Sequence, residues 1–260
     1  LAGTSPEIRR MVTELLRKTL AANPEKRYAS CAELLAQIEP FLDSFQQPKP
    51  YLQTKLPLGN NYFCGRDIEL QEIHTLLQQE KFLLLHGVGG IGKTELAKHY
   101  AMTYAEEYDA VVFVRFLDSI ENTILSDTNF PIVHCTRSDG ESDVAYLERK
   151  LQVLRQICTP RHLILLDNFD TGDCENLDFL TELPCPILVT SRVDYDGIFP
   201  QYEVDILSDE SALYQMMAYY TKREPDLYTD AILKALNGHT MAVELVAKQM
   251  ALHQLTSREM

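Results

Sequence analysis

The segment FLLLHGVGGIGKTELAKHYA, residues 82–101, limits what this chain can fold into more than any other stretch. An apolar run of strand length enters the turn Gly87-Val88-Gly89-Gly90-Ile91-Gly92, and Lys93, Thr94, Glu95 and a helical pattern follow directly. The order is G-x-x-x-x-G-K-T, and each residue type in it has a physical reason. A turn that wraps a phosphate must aim successive backbone N–H groups inward, and glycines allow both the close approach and the dihedrals this needs. The following helix adds the positive end of its dipole. Lys93 is expected to reach the outer phosphates, and Thr94 to offer its hydroxyl to Mg²⁺. The nucleotide-binding stretch is expected to run from Gly87 through Glu95.

Around this loop, short apolar strands alternate with helical patterns, which implies parallel βαβ units with helices on both faces of a sheet. Strands are expected at 82–86, 110–114, 163–166, 187–190 and 202–206, and helices at 67–79, 94–107 and 141–157. In the last of these, Val144, Leu147, Leu151 and Leu154 recur at helical spacing. Beyond Ser208 the alternation stops and 208–260 reads as helix throughout. Upstream, residues 5–21 form an amphipathic helix, with Ser5 as cap and Pro6 in the first turn, and Pro24 ends it. A second helix starts at Ser30, where Glu33 completes a capping box, and Pro40 is expected to bend or stop it. The string QQPKPYLQTKLPLGNN, residues 46–61, has three prolines and no periodicity, so it reads as a linker. The expected divisions are therefore 1–45, a linker at 46–61, an α/β domain at 62–207 and a helical extension from 208.

Lys and Arg number 24 against 38 Asp and Glu, a formal net charge of −14, which disfavours broad binding to nucleic acid. Six scattered cysteines without C-x-x-C spacing suggest neither zinc nor a disulfide framework, and a reducing cytoplasm is the expected home. No apolar run nears the roughly 20 residues that span a bilayer, so no membrane partner is expected. The start at Leu1 reads as a piece of a longer protein.

A phosphate-bound metal needs a second oxygen ligand, and the strand HLILLDNFD supplies Asp167 at its end. Many nucleotide hydrolases follow that aspartate with an acid that polarises water; here Asn168 stands there and Asp170 lies two residues on. Asn168 cannot accept a proton but can orient water, so turnover is expected to be slow or absent, and Asp170 as a substitute base is the lesser alternative. The strand CPILVTSR places Arg192 at a strand tip, where a cation distinguishes a triphosphate from a diphosphate. The catalytic set expected is Lys93, Asp167 and Arg192, with Thr94 and Asp167 at the metal.

In this order the segments resemble the STAND class of signal-transduction NTPases, close to the NB-ARC group of disease-resistance and apoptosis regulators. The likeness spans residues 62–260. FCGRDIEL is similar to the hhGRExE segment, which implies that Cys64, Gly65 and Arg66 lie near adenine and ribose, with Asp67 in place of glutamate. GVGGIGKT matches Walker A, LILLDNFD resembles Walker B, and TSR matches the sensor arginine. NGHTMAVELVAK resembles the GxPLAL motif of the helical domain, with Thr240 in the proline position and His239 read as a helix-start residue. No N-K-x-D guanine loop occurs, which favours adenine. AAA+ proteins share the loop and the aspartate but usually carry an acid at the Asn168 position.

Residues 1–45 resemble the end of a Ser/Thr protein kinase C-lobe, on the segment LLRKTLAANPEKRYASCAELLAQI with Pro24 and Arg27 in a P-x-x-R pattern. The lysine strand, H-R-D loop and D-F-G site of that fold are not in the sequence, so phosphotransfer to protein is not expected of it. The combined resemblance implies an ATP/ADP switch with Mg²⁺ in a signalling protein. Self-association of the full-length protein and a further sensor or repeat domain would accompany it. The alternatives are a protein whose chemistry lies in an upstream kinase, and a scaffold that binds nucleotide without hydrolysing it.

Overall fold

The computed structural model describes residues 6–46, 49–60, 62–171, 177–195 and 197–260. Cys174 lies outside the described residues. The chain divides into two compact units, Leu1–Lys49 and Pro50–Met260.

In the first unit, helix α1 (Pro6–Thr19) leads through a 3-10 turn at Pro24–Lys26 to helix α2 (Cys31–Gln46). Asn23 caps the turn by accepting from the Glu25 amide. The Ser30 hydroxyl accepts from the Glu33 amide at 3.2 Å, and the Glu33 carboxylate accepts from the Ala29 amide at 2.7 Å, so the reciprocal cap forms one residue wider than its usual pattern. Pro40 neither stops nor bounds α2, which continues to Gln46. A proline inside a helix removes one backbone hydrogen bond, while the turns on either side keep theirs. Arg27 is exposed and donates from Nε to the Ala21 carbonyl at 2.7 Å. Between positions 10 and 39 no described side chain is buried, although Leu16, Leu20 and Leu35 are large and apolar.

The second unit begins with strand β1 (Tyr51–Leu52), followed by α3 (Asp67–Glu80), β2 (Phe82–His86), α4 (Lys93–Thr103), β3 (Ala110–Arg115), α5 (Ile120–Leu125), β4 (Ile132–Val133) and α6 (Asp143–Ile157). Next come β5 (His162–Asp167), α7 (Asp178–Thr181), β6 (Ile187–Thr190), β7 (Gln201–Glu203) and the helices α8 (Glu210–Thr221), α9 (Thr229–Leu236) and α10 (Thr240–His253). Five strands pair in parallel in the order β3-β5-β6-β2-β7. A parallel sheet covered on both faces needs strands that are apolar throughout, which is why the strings LLL and LILL mark its centre.

Successive residues of each strand face opposite layers. Leu84, Ile164 and Leu166 join a core with Tyr146 and Leu154 of α6, whereas Leu83, Leu85 and Leu165 join one with Ile73 of α3 and Tyr100 of α4. This is an α/β sheet sandwiched by helices. Helices α8 to α10 form their own apolar cluster around Met216, Met217, Val243 and Ala247, reached from the sheet through Leu207.

The prolines at 46–61 mask a paired segment. Tyr51–Leu52 pairs antiparallel with Ile132–Val133, and Lys55 bridges Val112, donating its amide to Val111 at 2.8 Å and accepting from Phe113 at 2.9 Å. None of the three prolines falls within 51–55, so the extended backbone there keeps its donors. The helix expected at 94–107 ends at Thr103, and a separate 3-10 turn follows at Ala105–Glu107. The strand expected at 202–206 is Gln201–Glu203, because the Asp205 carbonyl turns to Arg66 and the Leu207 amide to Gly238.

Candidate functional site

The glycine-rich loop joins β2 to α4 at the C-terminal edge of the sheet. Gly87 (φ 145°) and Gly90 (φ 79°) hold backbone shapes that other residues avoid, and both are also tightly enclosed. A Cβ at Gly87 would lie 2.5 Å from the Val204 carbonyl oxygen, and one at Gly90 would lie 2.8 Å from the His239 ring. Lys93 folds back beneath the loop, and its Nζ donates to the carbonyls of Gly87 at 2.7 Å and Val88 at 2.9 Å. Burial holds this ammonium below the usual lysine pKa, against the attraction of Asp170 and Asp167.

Strand β5 delivers Asp167, buried, to the same edge. Its Oδ1 accepts from the hydroxyls of Thr94 at 2.6 Å and Thr190 at 2.8 Å. Thr94 lies in the first turn of α4 and Thr190 ends β6, so three separate elements meet at one carboxylate oxygen. Among the described residues no group of three or more His, Cys, Asp or Glu is placed to hold a metal ion. The Thr94 hydroxyl and Asp167 carboxylate are hard oxygen donors of the kind Mg²⁺ takes in ones and twos, with water and phosphate oxygens filling the remaining positions. The donor set therefore fits Mg²⁺ held jointly with a polyphosphate.

Asn168 follows in the left-handed region (φ 64°), its amide bound to the Thr190 hydroxyl at 2.9 Å, and its side chain is exposed. Asp170 is hydrogen-bonded to the residues that follow β6 and also attracts the loop lysine across the cavity. One of its oxygens accepts from the Arg192 amide at 2.6 Å, and the other lies 3.2 Å from Arg192 Nε.

Lys93, Thr94, Asn168, Asp170 and Arg192 border a cavity of about 310 Å³, whereas Asp167, bonded to Thr94 and Thr190, does not itself line it. Its loop end is formed by Gly90 to Glu95, and its sheet edge by Asn168, Asp170 and the Thr190-Ser191-Arg192 tip. Cys64 and Arg66 also line it, whereas Gly65, Gly87, Val88 and Gly89 do not. Gly65 backs onto α8, where a Cβ would meet that of Ala212 at 2.5 Å. Arg66 is buried and its donors are committed within the protein. They bind Glu69 at 2.8 Å, the Asp205 carbonyl at 2.8 Å and the Ile91 carbonyl at 3.3 Å. Its guanidinium staples the loop to the exit from β7 while the residue lines the cavity. Glu95 accepts from the Asn60 amide at 2.7 Å and pairs with Lys98 at 2.8 Å.

The remaining wall carries residues for which the loop motif gives no signal. Tyr62 stacks on Tyr219 of α8 with centroids 4.4 Å apart, and Phe63 stacks on His99 of α4 at 3.9 Å. Leu207, Met216, Met241 and Glu244 complete it from the extension. The start of α10 rests on the loop itself. His239 caps the helix, its Nδ1 accepting from the Ala242 amide at 3.3 Å, while Nε2 donates to the Gly89 carbonyl at 3.0 Å. The Thr240 hydroxyl and the Met241 amide both donate to the Gly90 carbonyl at 3.2 Å. A helix-start role for His239 was legible from Asn237-Gly238 before it; its seat on the loop was not.

Solved structures of similar fold include a Walker-type ATPase of Pyrococcus abyssi, with a TM-score of 0.53 at 14% identity over 80% of this chain and 72% of that one. AMPPCP-bound DnaA from Aquifex aeolicus gives 0.51 at 13% identity over 76% of this chain and 65% of that one. A DNA replication initiation factor gives 0.51 at 13% identity over 80% and 68%. At these identities the likeness establishes a P-loop NTPase fold. No family model matches the chain, and no curated protein does. No helix among the described residues is long and apolar enough to cross a membrane.

Proposed function

We propose that residues 50–260 bind an adenine nucleotide with Mg²⁺ and act as the nucleotide switch of a STAND-type signalling ATPase. One observation carries this reading: Lys93, Thr94 and Arg192 line one cavity, with Asp167 bonded to the Thr94 and Thr190 hydroxyls at its edge, and the opposite wall is a helical extension hydrogen-bonded to the phosphate loop. Lys93 is ready to exchange the Gly87 and Val88 carbonyls for phosphate oxygens, a stronger charge-assisted pairing. Thr94 and Asp167 would hold the metal, which when bound neutralises charge on the phosphate oxygens. The aromatic and methionine wall at Tyr62, Phe63 and Met216 suits a base, whose flat apolar faces gain from contact with such side chains.

Asn168 supplies no proton acceptor beside Asp167, so hydrolysis is slow at best. The same residue favours a second reading, a scaffold locked by bound nucleotide. Phosphate release that disappears in Asp167→Ala excludes the scaffold. For switching, the contact of α10 with Gly89 and Gly90 is the element that ADP and ATP must bias differently. Moving such an equilibrium from 1:99 to 99:1 takes about 5.5 kcal/mol of differential affinity. ADP is expected to favour the docked form, and ATP an opened one that self-associates in the full-length protein. Residues 1–45 are read as the end of a kinase-like C-lobe, supported by amphipathic helices that bury none of their described side chains.

The direct experiment denatures the purified chain and identifies released nucleotide by chromatography, then measures ADP and ATP binding by calorimetry. Bound or bindable adenine nucleotide supports the reading; a chain indifferent to both nucleotides refutes it.

A further inference from the structure

We infer that Asp170 is a positioning residue that ties up the Arg192 guanidinium beside the phosphate loop and so sets the preference of the site between ATP and ADP. The inference rests on the nucleotide reading above. Both carboxylate oxygens of Asp170 are turned toward Arg192, one at 2.6 Å from its amide and one at 3.2 Å from Nε. The two partners differ in freedom. The Asp170 side chain is 23% exposed, whereas that of Arg192 is 65% exposed.

The acid is also anchored from behind. Phe169 is fully buried, its amide donates to the Thr190 carbonyl at 2.8 Å, and its carbonyl accepts from the Ser191 hydroxyl at 2.6 Å. The backbone carrying Asp170 is therefore clamped to the end of β6, and the arginine is the member that can move. While paired with Asp170, the Arg192 side chain already lies against the loop, where a Cβ built on Gly89 would sit 3.7 Å from its Nε and 3.9 Å from its Cζ. Both Asp170 and Arg192 line the cavity that Lys93 enters.

A triphosphate brings one more negative charge than a diphosphate to this end of the cavity. Asp170 opposes that charge in two ways, by occupying Arg192 and by repelling the phosphate directly. Both effects have the same sign, so removing the carboxylate charge favours ATP. An acid whose two oxygens face Arg192 is committed to orienting it, which accounts for Asp170 more directly than the role of substitute base.

The test uses the whole 260-residue chain with Mg²⁺ and measures by calorimetry the affinities for ADP and for a non-hydrolysable ATP analogue. Asp170→Asn is expected to raise the ratio of analogue affinity to ADP affinity about five- to tenfold, mainly by tightening the analogue. In an Arg192→Ala background the same change is expected to raise the ratio only about two- to threefold, because the direct repulsion alone remains to be relieved. If Asp170→Asn does not fold, Asp170→Ser keeps a hydroxyl for the Arg192 amide and carries the same expectation. An unchanged ratio with both ligands still bound overturns the inference and leaves the nucleotide reading standing. So does an equal rise in both backgrounds. Single-turnover phosphate release that vanishes in Asp170→Asn at an unchanged ratio assigns Asp170 as the base instead. A wild-type chain that binds neither ligand removes the nucleotide reading and this inference with it.

Discussion

On the sheet side of the cavity, Lys93, Thr94 and Asp167 are fixed by short hydrogen bonds between three separate elements, at 2.6–2.9 Å. On the extension side, α10 meets the loop through three contacts at 3.0–3.2 Å, all to the carbonyls of two adjacent glycines. The first wall is anchored in a sheet buried on both faces; the second rests on a small helical cluster of its own. In the proposed switch the contrast separates two jobs. Groups that bind phosphate must be preorganised, whereas a wall that reports which nucleotide is bound must be able to leave at modest cost.

The comparison predicts a hierarchy of effects. Lys93→Ala on the rigid wall is expected to weaken nucleotide binding more than about 100-fold by calorimetry, since it removes a buried charge from a polyanion site. Retained affinity in that variant would refute the division. Asp167→Asn should cost about 10- to 100-fold in the presence of Mg²⁺ and little in EDTA, because its carboxylate acts through the metal. An equal loss in both conditions would mean that Asp167 acts only by tethering Thr94 and Thr190.

On the extension wall the effects shrink. Gly90→Ala forces a Cβ into the His239 ring from a backbone of φ 79°, so a stability loss of about 1–3 kcal/mol is expected. Its signature would be faster amide exchange over Thr240–His253 with the sheet strands unchanged. His239→Ala removes a helix cap and one loop contact and should cost about 1 kcal/mol, read as a lower Tm. If it instead matched Lys93→Ala in nucleotide affinity, the two walls would not be functionally distinct.

Legibility in the sequence followed the same divide. Phe82–His86 and Ile187–Thr190 are readable to the residue, because a strand buried on both faces is a continuous apolar run ended by turn residues. Tyr51–Leu52 is not, since a two-residue strand has no period and its partner at Ile132–Val133 lies about 80 residues on. Lys93 and Thr94 stand out by local spacing alone. Asp170 and Arg192 are 22 positions apart, and their pairing depends on β5 and β6 being neighbours. Arg66 was visible as part of a motif, but its buried partners, two of them main-chain carbonyls, leave no mark in the sequence.

The chain by itself determined the phosphate loop, the alternation that builds a parallel sheet and the absence of an acid after Asp167, because each is a matter of residue type at short separation. Tertiary structure alone decided that Thr94 and Thr190 share one carboxylate oxygen, that Asp170 pairs with Arg192, and that α10 is seated on Gly89 and Gly90. Those contacts depend on which strands lie side by side and on where main-chain carbonyls point. Side-chain identity does not encode a carbonyl's direction; only the assembled backbone sets it.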